Sequence, residues 1–303
     1  METARQLLGL SVQASMFLMI MAVAMMSNWH EVAGQLRRPF LLFKAVVAIN
    51  VVTPAVAIAL VLVLVLDQPV AQGLILMAIS PLAPLVPGNA AKAGGRRSSI
   101  IALYTILIIL AVAIVPITVR IVNLIFGSHA LAPAAIVAPI VLVSAVLPIL
   151  LGLTFAAIAP VFSRRAAPVL TILSNIVLAL FVVLILWVAG REMLHMIGNG
   201  TILAFTATIL AAIVSGHMLG GPEHSDRVTL GIAAAIRHPG IAAAIAHANG
   251  ASPHALAAII LFLLNGVVVT SLYQLWLKRH PMAAQDMPRA AAGVSPDGHH
   301  PPL

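Results

Sequence analysis

The sequence predicts an all-α membrane protein, folded as a polytopic bundle of transmembrane helices. Of its 303 residues, 62% are hydrophobic and 8% are charged, whereas a soluble domain is about 45–50% apolar and about 25% charged. Apolar runs long enough to cross a bilayer core of about 30 Å recur along the chain. A soluble globule could not bury so much apolar surface. This excludes a soluble enzyme and a nucleic-acid-binding domain, despite a formal net charge of +8.

Nine apolar segments each have about the length of one membrane crossing. In chain order they cover residues 7–27, 41–66, 70–91, 98–119, 134–162, 168–189, 201–220, 228–248 and 254–277. The connections between them are short and polar, and none is long enough to form a soluble domain. Residues 280–303 are rich in proline, alanine and glycine, which predicts a disordered tail.

The basic residues predict the orientation of the nine segments. With the N-terminus outside, the inner loops and the tail hold eleven basic residues, namely Arg37, Arg38, Lys92, Arg96, Arg97, Arg164, Arg165, Arg227, Lys278, Arg279 and Arg289. Lys44 reaches the same side, and the outer side holds only Arg5, Arg120 and Arg191. Because cytoplasmic loops carry the excess of lysine and arginine, the chain is predicted to be N-out and C-in, in a plasma or bacterial inner membrane.

The acidic residues all fall in predicted loops or termini. They are Glu2, Glu31, Asp67, Glu192, Glu223, Asp226, Asp286 and Asp297. Carriers coupled to protons or sodium often hold the cation on a membrane-embedded carboxylate, so this chain is expected to couple differently or not at all. Cysteine is absent, no histidine pair has metal-ligand spacing, and no nucleophile–base set is apparent. We therefore expect no metal site, no cofactor and no enzymatic activity.

The third and eighth segments each contain a predicted helix break. In the third, Pro81, Pro84 and Pro87 follow one another at intervals of three, and in the eighth Pro239 is followed by Gly240. Each proline removes a backbone donor and clashes with the preceding turn. The freed carbonyls then need polar partners or a water-lined cavity.

The positions of the two breaks predict an inverted repeat. If segments one to four form one set and segments six to nine another, the broken segment is third in both sets, and the two sets have opposite orientations. Paired broken helices in inverted repeats mark the substrate site of secondary transporters. The broken ends are therefore expected to meet near the membrane midplane.

Residues 81–95, which end in Ala93-Gly94-Gly95, and residues 233–242 resemble two motifs of the bile acid:sodium symporter family. The resemblance extends over roughly residues 8–278, and a weaker one exists to auxin-efflux-type carriers of the same broad fold. It implies the nine-helix form of the family, with a panel domain and a core domain. It also implies two crossing discontinuous helices in the core, and transport as the activity.

The resemblance fails at the residues that bind sodium in the family. The family's sodium-binding glutamate falls on Ala233, its Ser-Asn pair on Val86 and Pro87, and its Gln-Asn pair on Arg237 and His238. The sodium ligands are therefore largely replaced, which agrees with the absence of carboxylates from the predicted segments. The resemblance implies the fold and the transporter class, without sodium at the usual positions.

Arg237 and His238 are the leading candidates for site residues. Arg237 is either a fixed cation that replaces the sodium charge and binds backbone carbonyls, or the counter-ion of an anionic substrate, since guanidinium binds carboxylate through two bonds. We favour the second role. His238 is a candidate proton relay because its ordinary pKa is near neutrality; the simpler alternative is a neutral histidine bonded to carbonyls.

Three asparagines at membrane depth complete the predicted pocket. Asn89 adjoins the first break, Asn50 lies near a polar position of the family's second helix, and Asn265 matches a family asparagine in the last helix. The simpler alternative for each is a hydrogen bond between helices, worth about 0.6 kcal/mol on average.

The sequence therefore predicts a secondary transporter that moves a small organic anion across the lipid bilayer by alternating access. The alternative is a non-transporting receptor or sensor that retains the fold, which the missing sodium ligands would also explain. The sequence does not determine four properties, namely the identity of the substrate, the direction of transport, proton coupling against uniport, and the oligomeric state.

Overall fold

The structure is a computed structural model that describes residues 2–127 and 130–280, with side chains from Gln13 onward. Within these residues the regular elements are helices, and the only β-structure is one isolated bridge. The predicted all-α class is confirmed over this part of the chain. The predicted tail, apart from His280, lies outside the described residues.

The first seven helices lie on the N-terminal side of residue 127. They are α1 (Glu2–Met25), α2 (Trp29–Leu36), α3 (Pro39–Val46), α4 (Thr53–Val63), α5 (Gln68–Ile79), α6 (Val86–Lys92) and α7 (Arg97–Phe126). The next seven are α8 (Ala134–Val141), α9 (Leu147–Ile158), α10 (Pro160–Met196), α11 (Thr201–Leu219), α12 (His224–Ala235), α13 (Pro239–Ala248) and α14 (Pro253–Arg279).

Two π-helical segments interrupt otherwise continuous helices. Val47–Val52 joins α3 to α4, and Leu142–Val146 joins α8 to α9. A proline follows each one at the second position of the next helix, Pro54 in α4 and Pro148 in α9. A proline has no N–H to give to the carbonyl four residues back, and a π-bulge is one way in which a helix absorbs that loss.

Six helical stretches of the described residues are long and apolar enough to cross a membrane. They cover residues 39–63, 97–126, 134–158, 160–196, 201–219 and 253–279. A seventh is reached if residues 13–25 and α2 are taken together, although their axes differ by 84°. The predicted third and eighth segments are each two short helices, α5 with α6 and α12 with α13. The nine-span count and the inverted repeat therefore remain predictions.

Several helix ends differ from the approximate boundaries of the predicted segments. The fifth segment was expected to extend to Phe162, but α9 ends at Ile158 and Pro160 begins α10. Proline suits the first turn of a helix, where its missing N–H would have no partner. Pro168, the expected start of the sixth segment, lies inside α10. α7 likewise continues seven residues beyond the expected end at residue 119, to Phe126.

Asp226 also differs from its prediction as a loop residue. It lies in the first turn of α12 and its exposed fraction is 4%. A carboxylate suits the positive end of the helix dipole there. Arg38, whose Nη2 lies 2.5 Å from Asp226 Oδ2, compensates its burial.

The helices form two packing groups. α1 packs mainly on α9 and α10, while α5 packs on α14 and α11 packs on α12. Glycines allow close approach within both groups, because a methyl group on Gly152 would overlap the Met21 carbonyl and one on Gly216 would overlap the Leu230 carbonyl. Small residues at helix contacts are typical of membrane proteins, where backbones can approach closely.

Candidate functional site at the crossed helix breaks

The two helix breaks contact each other directly. Leu82 and Arg237 form an antiparallel β-bridge. The His238 N–H donates to the Pro81 carbonyl at 2.9 Å, and the Ala83 N–H donates to the Ile236 carbonyl at 3.2 Å. Each break therefore satisfies backbone groups that the other exposes, as a buried backbone requires. We call residues 80–83 and 236–238 the crossover.

Local sequence accounts for the helix that leaves the crossover. Pro239 is the first residue of α13, a position at which its fixed φ angle is favourable. His238 caps this helix, because its Nδ1 accepts a hydrogen bond from the Ile241 N–H at 3.2 Å. The cap satisfies one of the four free donors at the helix start.

Arg237 ties the crossover to the π-helical segment between α3 and α4. Its exposed fraction is 1%. Nη1 donates to the Ser80 carbonyl at 3.1 Å, and Nη2 donates to the Ile49 carbonyl. Nε has no hydrogen-bond partner. None of the four ion pairs found among the described residues includes Arg237, so its bonded partners are neutral carbonyls.

Arg237 and His238 face opposite sides of the crossover. The backbone is extended at Ile236 and His238, and successive side chains of an extended chain alternate in direction. His238 has an exposed fraction of 1%, and its Nε2 has no partner. Its ring lies near Gly240, where an added methyl group would overlap Met16 Sδ of α1. The His238 side of the crossover therefore faces α1.

A narrow cleft lies between the crossover and α14. Its volume is about 80 Å³. The residues that line it come from α5, the first break, α6, the end of α12, the second break and α14, and they are Met77, Leu85, Asn89, Ala235, Ile236, Arg237, Phe262, Leu263, Gly266, Val267, Thr270, Ser271 and Gln274. Arg237 and Thr270 are buried, Asn89 and Gln274 are half-buried, and Ser271 is exposed.

The structure brings one of the three predicted asparagines to this cleft. Asn89 lines it, accepts a hydrogen bond from Gln274 Nε2 at 3.2 Å and donates to the Leu85 carbonyl at 2.9 Å. Asn265 instead bonds Thr206 of α11, with its Nδ2 donating to Oγ1 at 3.0 Å. Asn50 is half-buried in the π-helical segment, next to Ile49. Neither Asn265 nor Asn50 lines the cleft.

The predicted break residues occupy different positions relative to the helix ends. Pro81 and Pro84 lie between α5 and α6, whereas Pro87 is already the second residue of α6. Pro239 and Gly240 are the first two residues of α13. The first break is therefore completed before its third proline.

Three contributors to the site were not apparent from sequence. Thr270 and Gln274 are polar residues of an apolar helix with no local feature to distinguish them, and the carbonyl of Ile49 belongs to an ordinary apolar residue. Pro54 is the one available signal, because a proline inside an apolar helix marks disturbed hydrogen bonding just before it. It does not indicate which group uses the freed carbonyls.

A second charged region lies at the start of α12. Arg38 Nη2 lies 2.5 Å from Asp226 Oδ2 and 3.3 Å from Glu223 Oε1, and Arg96 Nη2 lies 3.5 Å from Glu223 Oε2. The Arg96 N–H also donates to Ser225 Oγ at 2.8 Å. We call these residues the α12 ion-pair cluster. It joins the α2–α3 connection and the start of α7 to the start of α12.

The apolar helices and the two broken helices that cross at a buried cation define the class of the protein, a multi-pass helical membrane protein built like a transporter. The model of the sodium bile acid symporter family matches residues 14–196, more than half of the chain. The chain therefore belongs to this family, as its motifs predicted, and members of the family are transporters rather than enzymes. The match ends before α11, so it includes the first break and not the second. No curated protein matches the chain.

Proposed function

We propose that the chain is a secondary transporter that moves a small organic anion across the cell membrane by alternating access. Transport does not use sodium at the family's usual positions. The N-terminus lies outside and the C-terminus lies in the cytoplasm. Membership of a transporter family supports the class, and the chemistry of the crossover supports the rest.

The observation that carries the proposal is the bonding of Arg237. Its two terminal nitrogens donate to the carbonyls of Ser80 and Ile49. Carbonyls freed by broken helices are the groups that hold sodium or protons in secondary transporters. Here a covalently attached cation takes them, and Ala233, which replaces the sodium-binding glutamate, is buried and apolar. Sodium does not fit this donor set. The bonding therefore supports the first of the two roles expected for Arg237, a fixed cation in place of the coupling ion, while its role as a direct counter-ion of the substrate remains a prediction.

The charge at the crossover favours an anionic substrate. α5 and α12 end at the breaks with the negative ends of their dipoles. At the end of α5, the Ser80 carbonyl accepts from Arg237. At the end of α12, the Ile236 carbonyl accepts from the Ala83 N–H. α6 and α13 begin there and present positive ends. The guanidinium charge and these helix starts together give the crossover a positive potential, since described residues place no carboxylate on the cleft or in an ion pair with Arg237.

The two packing groups supply the moving parts. The group of α1, α9 and α10 corresponds to the panel, and the group that contains the crossover corresponds to the core. Met16 of α1 packs against Gly240 of α13, close to the His238 ring, where the two groups meet. The transported anion passes along this His238 face as the core rocks against the panel, with Arg237 as a fixed charge behind it and His238 as the candidate proton carrier.

The observed contacts support a role in substrate binding for some of the three asparagines better than for others. Asn89 shares the cleft with Arg237 and remains our candidate for shaping the core side of the site. Asn265 already bonds Thr206, so its simpler role between helices is the better supported. Asn50 lies one residue from the carbonyl that Arg237 uses, and its part in substrate binding remains a prediction.

Transport is tested in two stages with purified protein. A thermostability screen of small organic acids at several pH values, in sodium and in potassium buffers, identifies ligands. The best ligand is then followed as radiolabelled uptake into proteoliposomes, with protein-free liposomes as the control. We expect uptake that is the same in sodium and in potassium. A sodium-dependent rise in thermostability or uptake would overturn the fixed-cation proposal, and ligand binding without flux would favour the receptor or sensor.

The orientation has an independent test, which the absence of cysteine makes simple. Single cysteines are introduced as Asn199→Cys, between α10 and α11, and as Arg164→Cys, near the start of α10. A membrane-impermeant maleimide is expected to label Asn199→Cys in intact cells and Arg164→Cys only after permeabilisation. The reverse pattern would invert the proposed topology.

A further inference from the structure

Two residues that line the cleft beside α14 each have a buried polar atom without a hydrogen-bond partner. Arg237 and Thr270 have exposed fractions of 1% and 4%, and Arg237 Nε and Thr270 Oγ1 make no hydrogen bond. Both residues line the same cleft. Both groups can donate, and buried donors are normally satisfied by protein, water or an ion. Arg237 Nε can only donate, so a partner for it must be an acceptor, and the Thr270 hydroxyl can donate to the same acceptor.

The electrostatics of the cleft select a negatively charged acceptor. Arg237 carries a permanent positive charge, and its bonded partners are neutral carbonyls. The residues that line the cleft include no carboxylate. A buried charge without a counter-charge is unfavourable, and an anion in the cleft would compensate this charge while it accepts from the two free donors.

The size of the cleft limits the anion to a few atoms. Its volume of about 80 Å³ is well below the roughly 300–1,000 Å³ of pockets for drug-sized ligands. A halide with one or two waters suits this space, whereas an organic acid with a longer carbon chain does not. The more exposed part of the cleft has three further polar side chains. They are Asn89 and Gln274, which bond each other, and the exposed Ser271.

We propose that this cleft binds a small inorganic anion, of which chloride is the reference, as a resident counter-ion of Arg237. The cleft is formed by α5, α6, α12 and α14 with the two breaks, all on the core side of the molecule. Rocking of the core against the panel does not expose it to each side in turn. The ion is thus distinct from the transported anion on the His238 face, and its binding does not depend on the identity of that substrate.

The resident anion has a consequence for transport. The halide and the organic anion are attracted by the same guanidinium, so each weakens the binding of the other by the same factor. Replacing chloride by a large anion such as gluconate is expected to lower the substrate concentration needed for half-maximal uptake. The chloride concentration thereby sets the affinity of the transporter for its organic anion.

The first test measures halide binding without any transport substrate. The melting temperature of the purified full chain is followed as potassium chloride replaces potassium gluconate at constant ionic strength. We expect a saturable rise with chloride. Thr270→Val removes one donor at constant shape and is expected to raise the half-saturating chloride concentration on the order of fivefold. Thr208→Val is the matched control, because this threonine is buried but its Oγ1 already donates to the Ala204 carbonyl.

The second test locates the anion. Crystals grown with bromide are expected to show an anomalous peak in the cleft, within hydrogen-bond distance of Arg237 Nε and Thr270 Oγ1. Equal melting temperatures in chloride and gluconate would overturn the proposal. So would equal halide responses of Thr270→Val and Thr208→Val, or a bromide peak elsewhere. Because neither test uses flux, a failure of the proposed transport leaves their outcomes interpretable.

Discussion

Arg237 and Arg38 both join separate helices, but they do so in opposite surroundings. Arg237 is 1% exposed and bonds two carbonyls, whereas the Arg38 side chain is 39% exposed and bonds two carboxylates. Arg38 has opposite charges to pair with and water to solvate it. Arg237 has only neutral acceptors. A pair at the end of the bundle contributes to stability, while a cation at the crossover without a protein carboxylate beside it is expensive to keep and is better explained by function.

The two regions are also separated along the molecule. Asp226 of the α12 ion-pair cluster and Ala235 before the second break lie at opposite parts of α12, roughly 14 Å apart at a rise of about 1.5 Å per residue. Changes in one region therefore need not alter the other directly. This allows stability and transport to be separated by substitution.

The largest effect is expected for Arg237→Ala. The change removes the fixed cation and leaves the carbonyls of Ser80 and Ile49 without their donor, at a cost of about 1–3 kcal/mol each. We expect uptake into proteoliposomes to fall to that of protein-free vesicles, while size-exclusion chromatography still shows folded protein. Arg38→Ala is the matched comparison and is expected to retain uptake. Uptake by Arg237→Ala would remove the functional distinction between the two arginines.

Substitution by lysine sharpens the comparison further. Arg237→Lys keeps the charge, but a single ammonium cannot reproduce the planar fork that reaches both carbonyls. We expect most of the uptake to be lost and the melting temperature to fall less than in Arg237→Ala. In Arg38→Lys a point charge still faces the carboxylates of Glu223 and Asp226, so uptake and melting temperature should change little. If both lysine variants transport normally, charge alone is sufficient at the crossover.

Features that depend on contiguous residues are predictable from the sequence. The all-α class and the family follow from apolar runs and local motifs, because both are properties of contiguous residues. Pro239 likewise begins α13 for a local reason, its fixed φ angle and missing N–H. The presence of an arginine beside that proline, in a chain without predicted intramembrane carboxylates, is also visible in the sequence.

The partners of each arginine are not predictable in this way. Arg237 reaches Ile49, which is distant in sequence and contributes only a backbone carbonyl. Every residue has such a carbonyl, so no side-chain pattern identifies it. Asp226 precedes the apolar stretch, so its position in the sequence predicts a loop residue. Its burial follows instead from the long-range contact with Arg38. Backbone acceptors and distant pairs depend on the assembled fold rather than on local composition.

An intermediate effect is expected for Arg38→Ala. Asp226 is buried and would lose its charged partner, which we expect to lower the free energy of unfolding by about 1–2 kcal/mol. The double variant Arg38→Ala with Asp226→Asn removes the unpaired charge and should recover part of this loss. Melting temperatures of the two single variants and the double variant measure the coupling. Strictly additive effects would show that the two side chains do not stabilise each other.

The smallest effect is expected for Arg96→Ala. Its side chain is 65% exposed, and Nη2 lies 3.5 Å from Glu223 Oε2. An ion pair of this kind contributes less than about 0.5 kcal/mol. The bond from its backbone N–H to Ser225 is unaffected by the substitution. In about 1 M salt, where charges are screened beyond about 3 Å, the melting temperatures of this variant and the parent should coincide. Arg237→Lys should keep its defect in the same salt, because a single ammonium cannot donate to both the Ser80 and the Ile49 carbonyl at any ionic strength. If salt restored uptake by Arg237→Lys, the contributions of Arg237 and Arg96 would both be screened by salt, contrary to this prediction.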